Sequence, residues 1–346
     1  MSAAGCREPA QTAFRYSTDA SSRAGLTPLS DGVLTGNEAG AVVRLDRTGT
    51  VQWRVALGRE VATRPVVAGD SVIAGTVAGD LVSLSLADGA ERWRLTGEPP
   101  VLTPLVVAPD GQALFVVAPD GAVRSLAVDT GKVRWRTPAP KSAEPPPESS
   151  RVLPAPVLSD GRLIVALGGS GLVALSVADG APLWRQATGD VLGLEVAGDA
   201  LFLGTKEAHV RALRAKDGVM LWEKTPADSL TGPPSLALGM LWVGARTQDA
   251  PVLVGLSPSD GKELARMGLP DPLTTRVAEA GELLLVPTQG RQGRLVALKR
   301  PTWERAFSLR TDTALRSPPV VQGEQVFVLG QDGRVLSWKL RPPESP

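Results

Sequence analysis

The chain has 346 residues, 43% of them hydrophobic, and is long enough to bury a large core. Its 37 basic and 36 acidic residues nearly cancel, which argues against a surface that binds nucleic acid or another polyanion. No apolar run approaches the roughly 18 residues that a membrane-spanning helix needs. Length alone would favour two domains, but the repeats described below indicate one.

Cys6 is the only cysteine, so the sequence contains neither a disulfide framework nor a cysteine-based metal site. The small residues before it, Ser2 to Gly5, are typical of the end of a bacterial lipoprotein signal. A complete signal also needs a basic start and an apolar segment, which five residues do not supply. Two interpretations stay open. Either the native start lies upstream and Cys6 carries a lipid in the periplasm, with residues 1–12 as a tether, or the cysteine is incidental.

A tryptophan-centred pattern recurs from residue 45 onwards. It reads leucine, three residues, Asp-Gly or Thr-Gly, three residues and an aromatic residue, as in Leu84 to Trp93. We call the last residue the docking residue of its repeat. The docking residues are Trp53, Trp93, Trp135, Trp184 and Trp222, followed by the degenerate copies Ala265 and Phe307. Intervals of 38 to 49 residues between these positions predict a repeat fold in which no unit is stable alone.

Each repeat predicts four short strands. In the second repeat, short apolar runs begin at Arg64, Ser71, Gly79 and Glu91, and Gly-containing turns separate them. A proline opens the first strand in most repeats, where a missing N–H group costs little. Four antiparallel strands in about forty residues are typical of a β-propeller blade.

The second and third strands occur eight times, but the chain ends before the eighth repeat can supply its fourth strand. The segment Ala13 to Tyr16 resembles Arg92 to Arg94 and can take that place. We therefore predict an all-β fold: one eight-bladed β-propeller over residues 13–346. Its four-stranded antiparallel blades form a ring closed by an N-terminal strand, which removes exposed sheet edges.

Three insertions interrupt the regular spacing. They are a proline-containing linker at residues 137–150 and two enlarged turns at 246–251 and 289–294. Because strands alternate in direction, linkers between blades and turns between the second and third strands emerge on one face. A rigid scaffold that presents loops on one face is suited to binding, although neutral variation of surface loops explains them equally well.

The repeat resembles that of the quinoprotein (PQQ-like) propeller family, whose signature is Ala-Leu-Asp-x-x-Thr-Gly-x-x-x-Trp. The stretches Ala174 to Trp184 and Ala212 to Trp222 carry most of it, and Val128 to Lys132 carry its Thr-Gly. The resemblance covers nearly the whole chain. It implies that the docking residues, including Phe307, have a structural role in packing one blade against the next.

Within that family, the chain is most similar to the BamB lipoproteins of the outer-membrane β-barrel assembly machinery. The resemblance implies a non-enzymatic scaffold, without cofactor, whose partner is the BamA barrel protein with its assembly complex. In register with the family's contact segments lie Arg151 in the linker entering blade four and Asp190 in the linker entering blade five. Glu148 and Ser150 stand where the family has leucines, and the second aspartate of the later segment is missing.

The same resemblance also leaves open an enzymatic function in place of the scaffold role. A quinone-dependent dehydrogenase would need adjacent cysteines and a calcium site of Glu, Asn and Asp. This sequence has one cysteine and one asparagine, Asn37. Its single histidine, His209, excludes a histidine metal cluster and favours a surface or packing role. A generic extracytoplasmic interaction propeller with another partner also remains open.

Overall fold

The computed structural model describes residues 9–140, 153–290 and 292–341. These residues form eight antiparallel sheets, each built from consecutive strands except the last, which combines both ends of the chain. The sheets are the blades of a propeller and are numbered one to eight from the sheet that begins at Leu26. The predicted all-β, eight-bladed architecture is confirmed.

The strands occupy four levels from the axis of the ring to its rim. The innermost strands are β2 (Leu26–Leu29), β6 (Val66–Ala68), β10 (Val106–Val107), β14 (Val157–Ser159), β18 (Val191–Ala197), β22 (Ser229–Leu230) with β23 (Ser235–Ala237), β27 (Ala278–Ala280) and β31 (Val320–Gln322). The second strands are β3 (Gly32–Gly36), β7 (Ser71–Gly75), β11 (Ala113–Val117), β15 (Arg162–Ala166), β19 (Ala200–Thr205), β24 (Met240–Thr247), β28 (Leu283–Thr288) and β32 (Gln325–Leu329). The third strands are β4 (Ala41–Asp46), β8 (Leu81–Ser85), β12 (Val123–Ala127), β16 (Leu172–Ser176), β20 (Val210–Arg214), β25 (Ala250–Leu256), β29 (Arg294–Lys299) and β33 (Arg334–Leu340). The outer strands are β5 (Val51–Ala56), β9 (Glu91–Leu95), β13 (Val133–Thr137), β17 (Pro182–Gln186), β21 (Met220–Lys224), β26 (Glu263–Gly268), β30 (Glu304–Arg310) and β1 (Ala10–Ser17).

Blade six departs from the regular pattern because its innermost strand is split. Both β22 and β23 pair with β24, and the residues between them include Pro233 and Pro234, which cannot donate ladder hydrogen bonds. Among the described residues, no helix is long and apolar enough to cross a membrane.

The N-terminal strand closes the ring as predicted. Strand β1 pairs antiparallel with β33, from Ala10 opposite Leu340 to Ser17 opposite Arg334. The strand begins three residues before Ala13, the predicted start of the propeller, so it includes part of the segment assigned to the tether. Pairing the first strand with the last removes the sheet edge that blade eight would otherwise expose.

The core lies between the blades. Eight clusters of buried apolar side chains occur, and each joins two consecutive blades, including the eighth with the first. Leu45 and Phe327, for example, share the cluster that joins blades one and eight, and both are fully buried. A blade therefore buries its faces against its neighbours, as expected for a repeat fold.

The five docking tryptophans make the same contact. Each indole Nε1 donates a hydrogen bond to a backbone carbonyl of the next blade, from Trp53 to Leu86 (2.9 Å), Trp93 to Val128 (2.9 Å), Trp135 to Val177 (2.9 Å), Trp184 to Ala215 (3.0 Å) and Trp222 to Pro258 (3.0 Å). Each ring lies over the glycine that follows in that turn. At Gly180, which has φ +74°, an added Cβ would lie 2.4 Å from Trp135, so both the conformation and the space require glycine.

The ring closure reproduces this contact with phenylalanine. Phe14 of β1 lies over Gly49 of blade one, whose added Cβ would lie 2.5 Å from the Phe14 ring. Phe14 also packs against Phe327 with ring centroids 6.0 Å apart. The other phenylalanine in a docking position, Phe307, is half-buried and lines an apolar cavity of about 410 Å³ beside Leu340.

The junction between blades six and seven reverses the contact. Ala265 holds the docking position of blade six, while Trp303 of blade seven holds the turn position that is glycine elsewhere. Trp303 adopts φ +60° and donates its N–H to Lys299 O, as Gly261 does to Ser257 O in the preceding blade. Its ring packs edge-on against Trp242, with centroids 4.7 Å apart, in the cluster that contains Ala265. The large side chain thus comes from the opposite blade.

Candidate partner-binding face

Linkers between blades and turns between second and third strands emerge on one face of the propeller, which we call the linker face. Three contacts between such segments establish it. Gly168, in a turn of blade four, lies beside Asp190 in the linker to blade five, since a Cβ added to Gly168 would be 3.9 Å from the Asp190 carboxylate. Gly290, in a turn of blade seven, lies beside Asp271 in the linker to that blade, and a Cβ added to Gly290 would be 2.3 Å from the Asp271 carboxylate. The third is a hydrogen bond from Gln248 N to Asp228 Oδ2 (2.8 Å). The linkers that enter blades five, six and seven therefore lie against neighbouring turns.

Asp190 lies on this face in the linker that enters blade five. Its carboxylate is 32% exposed, and Oδ2 lies 2.9 Å from Nζ of Lys206 in the following turn. The Asp190 carbonyl also accepts a hydrogen bond from Lys206 N (2.9 Å). The linker is thus attached to the turn of blade five at two points, and the carboxylate remains accessible from solvent.

A second charged pair extends the same surface. Arg211 donates through Nη1 to Thr188 O (2.8 Å) and through Nε to the carboxylate of Glu223. The hydrogen bond from Arg211 is the largest cause of a lowered pKa at Glu223, so this carboxylate is ionised at neutral pH. His209, half-buried beside the pair, lies 3.1 Å from Thr225 Oγ1 through Nδ1. The histidine is therefore part of a surface hydrogen-bond network, as the sequence favoured.

One of the two predicted enlarged turns has a different form. Residues 246–251 extend strands β24 and β25, which pair as far as Thr247 opposite Ala250. Only Gln248 and Asp249 form the turn, and both have positive φ (48° and 64°), as a tight two-residue hairpin requires. The insertion therefore lengthens a hairpin instead of adding a loop, because the extra residues continue the ladder.

Several predicted site residues lie outside the described residues. Cys6, Arg151 and the central part of the linker, residues 141–150, belong to this group. Asp190 is consequently the one predicted partner-binding residue whose surroundings the structure describes. The docking residues Trp53, Trp93, Trp135, Trp184, Trp222 and Phe307 lie in outer strands between blades.

The sequence reasoning missed Lys206 and Glu207, which lie beside the linker that carries Asp190. An added Cβ on Gly189 would lie 3.0 Å from Glu207 Oε2. Both residues occupy the turn between the second and third strands of blade five, so the rule that placed linkers and turns on one face could have identified them. Among the described residues, no group of three or more His, Cys, Asp or Glu side chains is placed to hold a metal ion.

Comparisons with known proteins identify the family. A profile described as "Outer membrane protein assembly factor BamB" matches residues 38–190, 141–246 and 248–339. The protein of that name from Yersinia pestis is 27% identical over 290 residues, covering 80% of this chain and 71% of that protein. The one from Xanthomonas campestris pv. campestris is 30% identical over 293 residues, covering 80% of this chain and 68% of that protein.

A solved structure gives the same picture at the level of the fold. The crystal structure of BamB from Moraxella catarrhalis superposes with a TM-score of 0.76, at 17% sequence identity, and covers 97% of this chain and 99% of that chain. The family profile spans most of the sequence, from the turn after the second strand of blade one to the third strand of blade eight. The chain therefore belongs to the family of the outer membrane protein assembly factor BamB.

Proposed function

We propose that this protein is a non-enzymatic scaffold of the outer-membrane β-barrel assembly machinery and that its linker face binds the periplasmic part of a BamA-like barrel protein. Family membership supports the role in outer-membrane protein assembly. The observation that supports this face as the docking surface is Asp190, which matches a contact position of the family. Its carboxylate is held by Lys206 and remains solvent-accessible.

The geometry suits recognition by charge. Asp190, Lys206 and Glu207 present both signs of charge on adjacent segments of a rigid ring. An exposed ion pair of this kind contributes about 0 to 1 kcal/mol to folding stability, so its loss leaves the blade intact. Arg151 is proposed as the second anchor, because a planar guanidinium can pair with a carboxylate through two hydrogen bonds while its stem covers apolar surface.

Attachment to the membrane is proposed through lipid on Cys6, which would hold the propeller in the periplasm at the outer membrane. The ring closure fixes the point at which such a tether would join the propeller. Strand β1 fixes the chain to blade eight at Ala10, four residues after Cys6, so a lipid on that cysteine would tether the propeller by the rim of blade eight.

The test is binding of purified Asp190→Ala and Arg151→Ala proteins to the soluble periplasmic domains of the BamA protein from the same organism. If these residues are interface hot spots, each variant should weaken binding by about 2 kcal/mol or more. Matched controls lie in turns on the opposite face. Asp70→Ala removes a carboxylate that is paired with Arg92, and Lys132→Ala removes an exposed cation. Arg44 is a poor control because its half-buried guanidinium bridges Asp31 and Leu86 O.

Equal weakening by the controls would show that the binding surface lies elsewhere. Full binding by both linker variants would contradict the proposed face. Absence of binding by the unmodified protein, together with co-purification of a different partner, would favour a generic interaction propeller.

A further inference from the structure

The axial channel of the propeller contains charges that the proposed scaffold role does not use. A cavity of about 570 Å³ lies against the innermost strands of blades one to five and the start of blade seven. Valine, leucine and proline side chains form most of its wall. Three charged side chains, Arg64, Glu195 and Arg276, also line it. Clefts lined by charge of one sign concentrate oppositely charged ligands, and low-dielectric walls strengthen the effect.

The two arginines occupy equivalent positions in different blades. In each blade, one residue of the innermost strand pairs with the third residue of the second strand, as Val66 pairs with Ile73 in blade two. The equivalent position lies two residues before that innermost residue. Across the eight blades these residues are Gly25, Arg64, Pro104, Ala155, Gly193, Pro233, Arg276 and Pro318. Six of the eight positions are small or cyclic, so the two guanidinium groups extend into space that the other blades leave open. The ring of positions lies at the end of the channel that faces the linkers.

Glu195 lies two residues after Gly193 on the innermost strand of blade five, and it forms an ion pair with Arg276. Its Oε2 is 3.1 Å from Nη1 of Arg276, and Nη2 of Arg276 donates to Leu194 O. Burial raises the pKa of Glu195, although Arg276 opposes that shift. Nη1 and Nη2 of Arg276 each carry a second N–H group, and Arg276 also lines the channel.

Arg64 has no such counter-charge among the described residues. Arg64 is exposed to the channel. Desolvation by the surrounding strands lowers its pKa, and repulsion from Arg276 adds to that effect. The three side chains together carry a net charge of +1, obtained from two arginines and one glutamate. A monoanion with two acceptor oxygens would neutralise this charge, whereas a dianion would meet additional repulsion from Glu195.

We propose that the linker-facing end of the axial channel is a carboxylate-binding site formed by Arg64 and Arg276. Guanidinium groups match the two oxygens of a carboxylate, and charge-assisted hydrogen bonds of this kind are about twice as strong as neutral ones. Glu195 orients Arg276 and favours a singly charged ligand over a phosphate dianion. The carboxylate comes either from a small organic acid or from an acidic side chain of a peptide that enters the channel from the linker face.

The experiment is calorimetric titration of the full chain with two carboxylate probes and their neutral analogues. The probes are butyrate, compared with butyramide, and the capped peptide acetyl-Gly-Asp-Gly-amide, compared with its Asn analogue. We expect at least one carboxylate to bind about tenfold more tightly than its amide. The probe that binds more tightly identifies the source. Equal binding of acid and amide, or preferential binding of inorganic phosphate, would overturn the proposal.

Variants assign the binding to the named residues. Arg64→Gln and Arg276→Gln should each weaken the carboxylate about tenfold or more, while Glu195→Gln should strengthen it severalfold because it removes a competing anion. Arg92→Gln, an arginine paired with Asp70 on the opposite face, is the matched control and should change nothing. Arg64→Gln breaks no ion pair and should not lower the thermal midpoint, so it remains informative even if Arg276→Gln fails to fold. Unchanged affinity in Arg64→Gln would overturn the site.

Discussion

The junction between blades five and six and the junction between blades six and seven solve the same packing problem in opposite ways. At the first, Trp222 comes from the earlier blade and Gly261 from the later one, and the indole Nε1 donates to Pro258 O (3.0 Å). At the second, Ala265 and Trp303 exchange these roles, and the large ring packs on Trp242 instead of donating to the next turn. At both junctions a tryptophan ring from one of the two blades fills the gap.

The exchange has a conformational cost at only one of the two junctions. The turn position requires positive φ, which glycine adopts freely and an L-residue adopts at a cost of about 1 to 2 kcal/mol. Trp303 adopts it nevertheless, with φ +60°. The fold therefore tolerates local strain where the same side chain fills a space that would otherwise be empty.

The largest effect should come from emptying the regular junction. Trp222→Ala removes a ring that is 9% exposed and leaves the gap beside Gly261 unfilled. We expect a loss of about 3 to 5 kcal/mol in the free energy of unfolding, as for other buried Trp-to-Ala changes. Urea denaturation followed by circular dichroism measures it. The control is Leu221→Ala, one residue earlier and 52% exposed, with an expected change within about 0.5 kcal/mol. Similar losses in both variants would contradict this account.

A smaller effect is expected at the reversed junction. Trp303→Gly removes a half-buried ring but relieves the positive φ, so we expect a net loss of about 2 kcal/mol. Ala265→Trp alone should cost about 1 to 3 kcal/mol because two large rings compete for one gap.

The double variant tests the exchange directly. Ala265→Trp with Trp303→Gly restores the regular pattern and should lie within about 1 kcal/mol of the unmodified protein, giving a coupling energy of about 2 kcal/mol or more between the two sites. The same urea series measures it. Additive losses in the double variant would mean that the two residues do not share a gap.

The smallest effect concerns acid sensitivity of the turns. Hydrogen bonding from Ser176 is the largest cause of a lowered pKa at Asp179, in the turn of blade four. In the turn of blade seven, Thr302 takes the place of this aspartate. Because the pKa of Asp179 is lowered in the folded state, the ionised carboxylate stabilises the protein at pH values above 3.8, the ordinary pKa of aspartate. This contribution is lost as the pH falls below that value. Asp179→Asn should therefore reduce the difference in unfolding free energy between neutral pH and pH about 3.

Ser176→Ala is the companion variant, since it keeps the carboxylate but removes the hydroxyl that contributes most to its lowered pKa. It should reduce the same pH dependence, whereas Thr302→Ser in blade seven should leave it unchanged. An unaltered pH dependence in Asp179→Asn would show that this turn does not contribute to acid unfolding.

The sequence predicted the architecture because each blade repeats a local rule. Strand periodicity, glycine at the turn and tryptophan four residues later are sufficient to count blades and to assign Ala13 to Tyr16 to the ring closure. The candidate site was less predictable. Asp190 could be placed on the linker face by strand direction, but its ion pair with Lys206 depends on how the linker packs against the turn of the same blade. No repeat rule encodes that contact.

Tertiary structure alone decided the features that involve residues far apart in the chain. Ala265 reads as a degenerate copy of the repeat until Trp303 is seen in the gap beside it. Arg64 and Arg276 are 212 positions apart and share a channel only because the ring brings blades two and seven to one axis. The sequence by itself determined the number of blades and the local turns, because these follow from periodicity and φ preferences. Closure of the ring determined which side chains meet, because packing between blades depends on distance in space and not on distance along the chain.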